Sequence, residues 1–156
     1  MKLATREDIE APIELVFELL SDFDGFERAI LRRGAEVMRS DTLTVPGVGM
    51  SWRTAFRYRG KERKLDIEMT EYQAPDRMRI DTTSKAIGMV VEIDLVAMSR
   101  NRTRMNLSLD ARPRTIPARL VIQSLKLARQ NVLKRFRKRV GDFAADIEAR
   151  AKAGAL

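Results

Sequence analysis

Three side chains have the types and strand positions to do chemistry together: Glu7, Tyr58 and Arg63. Each falls on the side of its expected strand that alternation turns inward. In an enzymatic reading Glu7 is a general base, and Arg63 or Tyr58 polarises a carbonyl. The rest of the repertoire is narrow, because the chain of 156 residues contains no His and no Cys. Those two zeros exclude a Ser-His-Asp triad, a Cys nucleophile, a Cys/His zinc site and a disulfide framework. Glu7 lies mid-strand among Leu3, Thr5 and Ile9. A carboxylate there must be paired, hydrated or protonated, since an isolated buried charge is expensive. A salt bridge to Arg63 or to a helix Arg, or a local bulge, would make it structural. The other polar residues on the inward register are Thr5, Thr54, Glu71, Thr82, Ser84 and Thr103. Asp22 and Asp24 lack a following Glu at calcium-loop spacing, so no metal is expected. Gly47-Val48-Gly49 is too short for a phosphate or dinucleotide loop, so no cofactor is expected.

The elements that must position these residues follow from periodicity. A strand is expected through Ile9, then a short helix from Pro12, with Ile13, Val16, Phe17 and Leu20 at helical spacing. Ser21-Asp22 can cap a second short helix, which Gly34 ends. From residue 35 the period changes to two. Strands are expected over 35–41, 50–58, 61–72, 77–85, 87–98 and 103–111, separated by short turn sequences such as Arg59-Gly60. Their polar faces alternate in sign: Arg53 and Arg57, then Asp66 and Glu68, then Arg77 and Arg79, then Glu92 and Asp94, then Arg104. Opposite charges on adjacent strands are favourable, so consecutive strands should be neighbours in an antiparallel meander with one wet and one buried face. A single helix is expected over 116–150, its stripe of Ala118, Val121, Ile122, Leu125, Val132, Leu133, Phe136, Val140, Phe143, Ala144 and Ile147 covering the sheet. Gly141 would allow a bend or close packing there. The length fits one domain over residues 1–156.

Alternation also selects the residues that would line a cavity between sheet and helix. They are Trp52, Thr54, Phe56 and Tyr58 from one strand, then Ile67 and Met69, then Met78, Ile80 and Thr82. Met89 and Val91, then Met105 and Leu107, complete the lining. Met suits irregular apolar shapes. The net charge is +8, and from Ala111 to Gly141 there are ten basic residues and no acidic one. Lys126, Lys134, Arg137 and Lys138 lie on the face opposite the apolar stripe, where they could meet an anionic partner. No aromatic residues interleave with them on that face, which disfavours base stacking. The longest uncharged stretch, Thr42 to Trp52, is 11 residues. A bilayer span needs about 20. The charged segment Met1 to Asp8 leaves no apolar run for a signal peptide, so a cytoplasmic location is the expectation.

The segment Ile9-Glu10-Ala11-Pro12-Ile13-Glu14, followed by Val16-Phe17 and Asp22, resembles a motif of the START/Bet v 1-like (SRPBCC) superfamily, written I-x-A-P-x-x-x-V-[FW]. That superfamily includes the polyketide cyclase/dehydrase group of bacterial proteins. The order of elements resembles its helix-grip fold. The resemblance implies an α+β fold: a curved antiparallel sheet of six to seven strands wrapped around a long C-terminal helix, with two short helices after the first strand. Members bind lipids, sterols, polyketides, quinones or hormones, and some are cyclases, so fold alone does not fix function. The implied activity is binding of a hydrophobic small molecule or lipid between sheet and helix. A cyclase/dehydratase-type enzyme using the same cavity, or an interaction protein using the basic helix face, are the alternatives.

Overall fold

The structure is a computed structural model, and it describes residues 1–154. Strand β1 (Lys2–Ile9) is followed by helices α1 (Ile13–Leu20) and α2 (Phe23–Arg32). Strands β2 (Glu36–Arg39), β3 (Ser51–Tyr58), β4 (Lys61–Gln73), β5 (Arg77–Thr83), β6 (Ile87–Ser99) and β7 (Arg102–Pro113) come next. Helices α3 (Ile116–Leu127) and α4 (Arg129–Gly154) complete the order. The seven strands form one antiparallel sheet in the order β1-β7-β6-β5-β4-β3-β2. Strands β2 to β7 are a meander, and β1 adds to the far edge beside β7.

The local chemistry explains the boundaries. Pro12 is the N-cap of α1 with an extended backbone, and its fixed φ suits the turn into the helix. Asp22 caps α2 by accepting from the Gly25 N–H at 3.1 Å. A Cβ on Gly25 would fall 2.4 Å from the Asp22 Oδ2, so this cap needs a glycine. Arg59 and Gly60 both have positive φ, which gives the two-residue turn from β3 to β4 the twist a hairpin needs.

The wet face carries part of the expected charge pattern: Arg53 meets Asp66 at 3.5 Å, Arg77 meets Asp94 at 2.8 Å and Arg79 meets Glu92 at 3.7 Å. The rest is corrected, because Glu68 stands opposite Asp81 and not an Arg of β5, and Arg104 meets Asp8 of β1 at 2.9 Å and not a carboxylate of β6. One expected inward position is also corrected. The register of β4 slips between Met69 and Glu71, where a bulge adds one residue. Glu71 therefore lies on the wet face as a partner of Arg77, not on the inward register. The same slip turns Tyr72 inward, where its ring lies 5.1 Å from Phe17 and its hydroxyl meets the Ser21 hydroxyl at 2.8 Å.

The expected single C-terminal helix is also corrected, because it divides at Ala128. No Pro or Gly marks the break. The two pieces sit on different surfaces: α3 on β7, and α4 on β1 and α1. In α4 the residues Val140, Ala144, Ile147 and Ala151 are buried. In α3 only Ile122 is buried, while Val121 and Leu125 of the expected stripe are exposed. Phe143 is exposed as well.

Arg77 bridges Glu71, Glu92 and Asp94, so it holds three carboxylates together. Replacing Arg77 by Gln should lower unfolding free energy by about 1–2 kcal/mol at neutral pH, the sum of several partly exposed pairs. The loss should shrink below about pH 4, where carboxylates protonate and stop repelling one another. Urea titrations at the two pH values check this.

Candidate functional site

The inward face of the sheet divides into a closed half and a less covered half. The strand register arranges inward side chains in rows across the sheet. One row runs Glu7, Met105, Leu95, and the next runs Thr5, Leu107, Ile93, Met78, Tyr72. Three rows away from Glu7, Ile67, Thr82 and Met89 stand side by side. Helices α1 and α2 and the C-terminal part of α4 fill the closed half against Ile9, Met69, Met78, Leu95 and Met105.

The cavity residues expected from alternation divide accordingly. Trp52, Thr54, Met69, Met78 and Met105 are buried core. Trp52 lies under α2, with the Phe23 ring at 5.6 Å and the Phe26 ring at 5.8 Å, and its Nε1–H donates to Glu27 at 2.9 Å. Thr54 is satisfied by donating to the Glu36 carbonyl. Phe56, Ile67, Ile80, Thr82, Met89, Val91 and Leu107 are only half-buried. They lie on the inward face of five adjacent strands, β3 to β7. The close backbone contacts of the C-terminal helices lie at one edge, α3 with β7 and α4 with β1, and Phe136 of α4 packs against the core that Ile67, Ile80, Val91 and Leu107 border. The result is a strip of half-buried apolar side chains on the inward face. Thr82 contributes a hydroxyl to it that has no hydrogen-bond partner among the described residues, whereas Thr103 donates to Ala11 and Ser84 to Ile87.

The three residues expected to do chemistry are not brought together. Arg63 faces Phe56 near the β3–β4 turn and is exposed. Tyr58 is its diagonal neighbour, 55% exposed, with the Arg59 guanidinium over its ring. Glu7 stands four strands from Arg63 in the sheet order, roughly 19 Å along the sheet, and at the other end of the strands. Its carboxylate lies against α4, where a Cβ on Gly141 would be 3.2 Å from Oε1. Among the described residues Glu7 has no ion pair with Arg63 or with a helix Arg. Gly141 thus serves close packing. Tyr72 is the inward aromatic that periodicity missed, because nothing in the sequence marks the bulge that turns it.

Two depressions lie away from the strip. One, of about 310 Å³, is on the wet face beside Arg6, Glu92, Asp94 and Asn106. The other, of about 240 Å³, lies between the α1–α2 junction and the β2–β3 loop, lined by Asp22, Asp24, Arg39 and Leu43 among others. Asp41 organises that loop. Its carboxylate accepts from the Arg39 guanidinium, from the Ser51 N–H at 2.7 Å and from the Leu43 N–H at 2.9 Å. The Arg39 hydrogen bond, helped by these two N–H groups, holds the Asp41 carboxyl well below the usual carboxylate range. Among the described residues no group of His, Cys, Asp and Glu is placed to hold a metal ion. Lys126, Lys134, Arg137 and Lys138 are all exposed.

The chain belongs to the family described as "Polyketide cyclase / dehydrase and lipid transport", whose profile matches residues 1–148. Among curated proteins, none matches the sequence. Solved structures share the fold. An aromatase/cyclase from Streptomyces sp. R1128 is 14% identical with a TM-score of 0.66, over 100% of this chain and 96% of the other. A Thermus thermophilus protein is 20% identical with a TM-score of 0.66, over 100% of both chains. A START superfamily protein from Mycobacterium smegmatis is 12% identical with a TM-score of 0.54, over 88% of this chain and 97% of the other. The fold is the START/Bet v 1 type.

Two outcomes follow from this geometry. Gly141→Ala gains helix propensity of about 1 kcal/mol and loses part of it to crowding against Glu7. In a Glu7→Ala background the gain should be complete, and a double-mutant cycle by urea unfolding reads the coupling. Asp41 acts through pH. Its folded pKa is depressed, so its stabilisation is full above about pH 4, the ordinary carboxylate value, and is lost as pH falls toward the folded value. Asp41→Asn should therefore lower the unfolding midpoint at pH 7, and wild type and variant should converge in acid.

Proposed function

We propose that the protein binds a hydrophobic small molecule or lipid along the less covered half of the inward sheet face. One observation carries this. Phe56, Ile67, Ile80, Met89, Val91 and Leu107 form a contiguous apolar surface that the protein's own helices leave half-exposed. Closing the sheet over these side chains would stabilise the fold, since apolar area removed from water is worth about 25 cal/mol per Å². A half-covered apolar surface with one free hydroxyl, Thr82, is the form of a ligand site. Membership of a family that includes lipid transport supports the same reading.

The enzymatic alternative has less support. A cyclase-type mechanism needs base and carbonyl-polarising groups within hydrogen-bond reach of one substrate. Glu7 and the Tyr58–Arg63 pair sit at opposite corners of the sheet. Glu7 faces the α4 backbone in the closed half, and its role is to fit beneath Gly141.

Native mass spectrometry of the protein purified from cells should show an apolar adduct. Ile80→Trp fills the strip at a half-buried position, so it should abolish the adduct and weaken binding of a fluorescent fatty acid about tenfold or more, in a variant whose native circular dichroism shows that it still folds. Glu7→Gln should leave that binding intact. Absence of both adduct and fatty-acid binding in the wild type would overturn the proposal.

A further inference from the structure

Helix α3 shows apolar side chains where a globular protein has no use for them. Its only buried residue is Ile122, on the side that faces β7. Ile116, Leu120 and Leu127 fall within about 40° of one another around the helix, at 100° per residue, and on the other side from Ile122. Leu127 is 93% exposed, Ile116 75% and Leu120 59%. Together they make an outward ridge along the whole helix. Thr115 caps the helix by accepting from the Ala118 N–H at 3.2 Å, so the ridge is presented on a formed element.

Basic residues lie along one side of this ridge. At 100° per residue Arg119 and Lys126 fall about 80–100° from it, between the ridge and Ile122, and Arg114 and Arg129 stand at the two ends of the helix. Lys134, Arg135, Arg137, Lys138 and Arg139 continue along α4. Of the ten basic residues between Ala111 and Gly141, only Arg112 and Lys138 have a carboxylate partner among the described residues. Arg114 and Arg129 donate to the Ser84 and Lys2 carbonyls, and the other six have no carboxylate partner among the described residues.

We propose that α3 docks the protein onto the surface of an anionic phospholipid bilayer. Ile116, Leu120 and Leu127 enter the boundary between headgroups and acyl chains, and the basic residues of α3 and the first turns of α4 lie on the headgroups. Apolar insertion and cation–headgroup attraction are the two contributions that hold an interfacial helix. No helix among the described residues is long and apolar enough to cross a membrane, so this contact is one of surface docking. The charge selects the partner. A second copy of the chain would set one unpaired cluster of cations against another across a two-fold axis. An RNA would pair with the cations and leave the apolar ridge of α3 uncovered, and the exposed aromatic beside the basic run, Phe143, lies on α4 away from that ridge. The proposal goes beyond the ligand-binding reading and does not depend on it.

The test is co-sedimentation of the full chain with vesicles of phosphatidylcholine, alone or doped with phosphatidylglycerol. Binding should require the anionic lipid. It should fall steeply between about 0.1 M and about 1 M salt, as the Debye length shortens from about 10 to about 3 Å. Leu120→Ser combined with Leu127→Ser alters only exposed positions, so folding should be unchanged by circular dichroism while partitioning falls about tenfold or more. Replacing Lys126, Lys134, Arg137 and Lys138 by Gln should weaken partitioning and flatten its salt dependence. Leu127→Trp should show blue-shifted emission on anionic vesicles and quenching by brominated lipid, which reports insertion directly. The proposal is overturned if anionic vesicles are not bound at low salt, or if the Leu127→Trp emission does not move. It is equally overturned if single-stranded RNA binds where vesicles do not, or if the wild type is a dimer that Leu127→Ser dissociates.

Discussion

The antiparallel pairing of β1 with β7 is the contact on which the rest of the structure depends. It joins the first residues of the chain to residues about a hundred positions later, from Lys2 beside Asp110 to Ile9 beside Thr103. The terminal ammonium extends it by donating to the Ala111 carbonyl at 2.7 Å. Thr103, fully buried, donates to the Ala11 carbonyl and fixes the turn that leads from β1 into α1. Helix α4 then seats on β1 and α1 together. Until β1 is paired, α4 has no surface to bury Val140, Ala144, Ile147 and Ala151 against. Contacts so distant in sequence are entropically costly to form, so local elements should precede this closure.

Once α4 is committed to β1, it cannot also cover the middle strands. The sheet is seven strands wide, and one helix of about 10 Å diameter spans roughly two strand spacings. Helices α1 and α2 cover the Trp52 side, which leaves the part of the inward face around Ile67, Ile80, Met89 and Val91 half-covered. The half-buried strip is thus a geometric consequence of where the long helix is anchored. The wet face solves a different problem with charge: Arg77 sits between carboxylates of β4 and β6, and Arg79 and Arg104 each meet one carboxylate of a neighbouring strand, which fixes register without adding to the core.

The amino-acid sequence by itself determined the order of elements, the meander and the two faces of the sheet. Period-two alternation is local, and so is the sign of charge on each strand, which is why Arg53 and Asp66, and Arg77 and Asp94, mark their strands as neighbours. The Ile9-to-Phe17 motif pointed to the family that the profile match over residues 1–148 shows. Tertiary structure alone decided the bulge after Met69, which puts Glu71 out and Tyr72 in, because one inserted residue reverses every later side chain and carries no composition of its own. It alone decided the break at Ala128, set by two seats on two surfaces. It separated Glu7 from Arg63 and left Leu127 in water. Alternation assigns a side chain to a face. It says nothing of which row that side chain occupies, or of what the far side of the chain places above it.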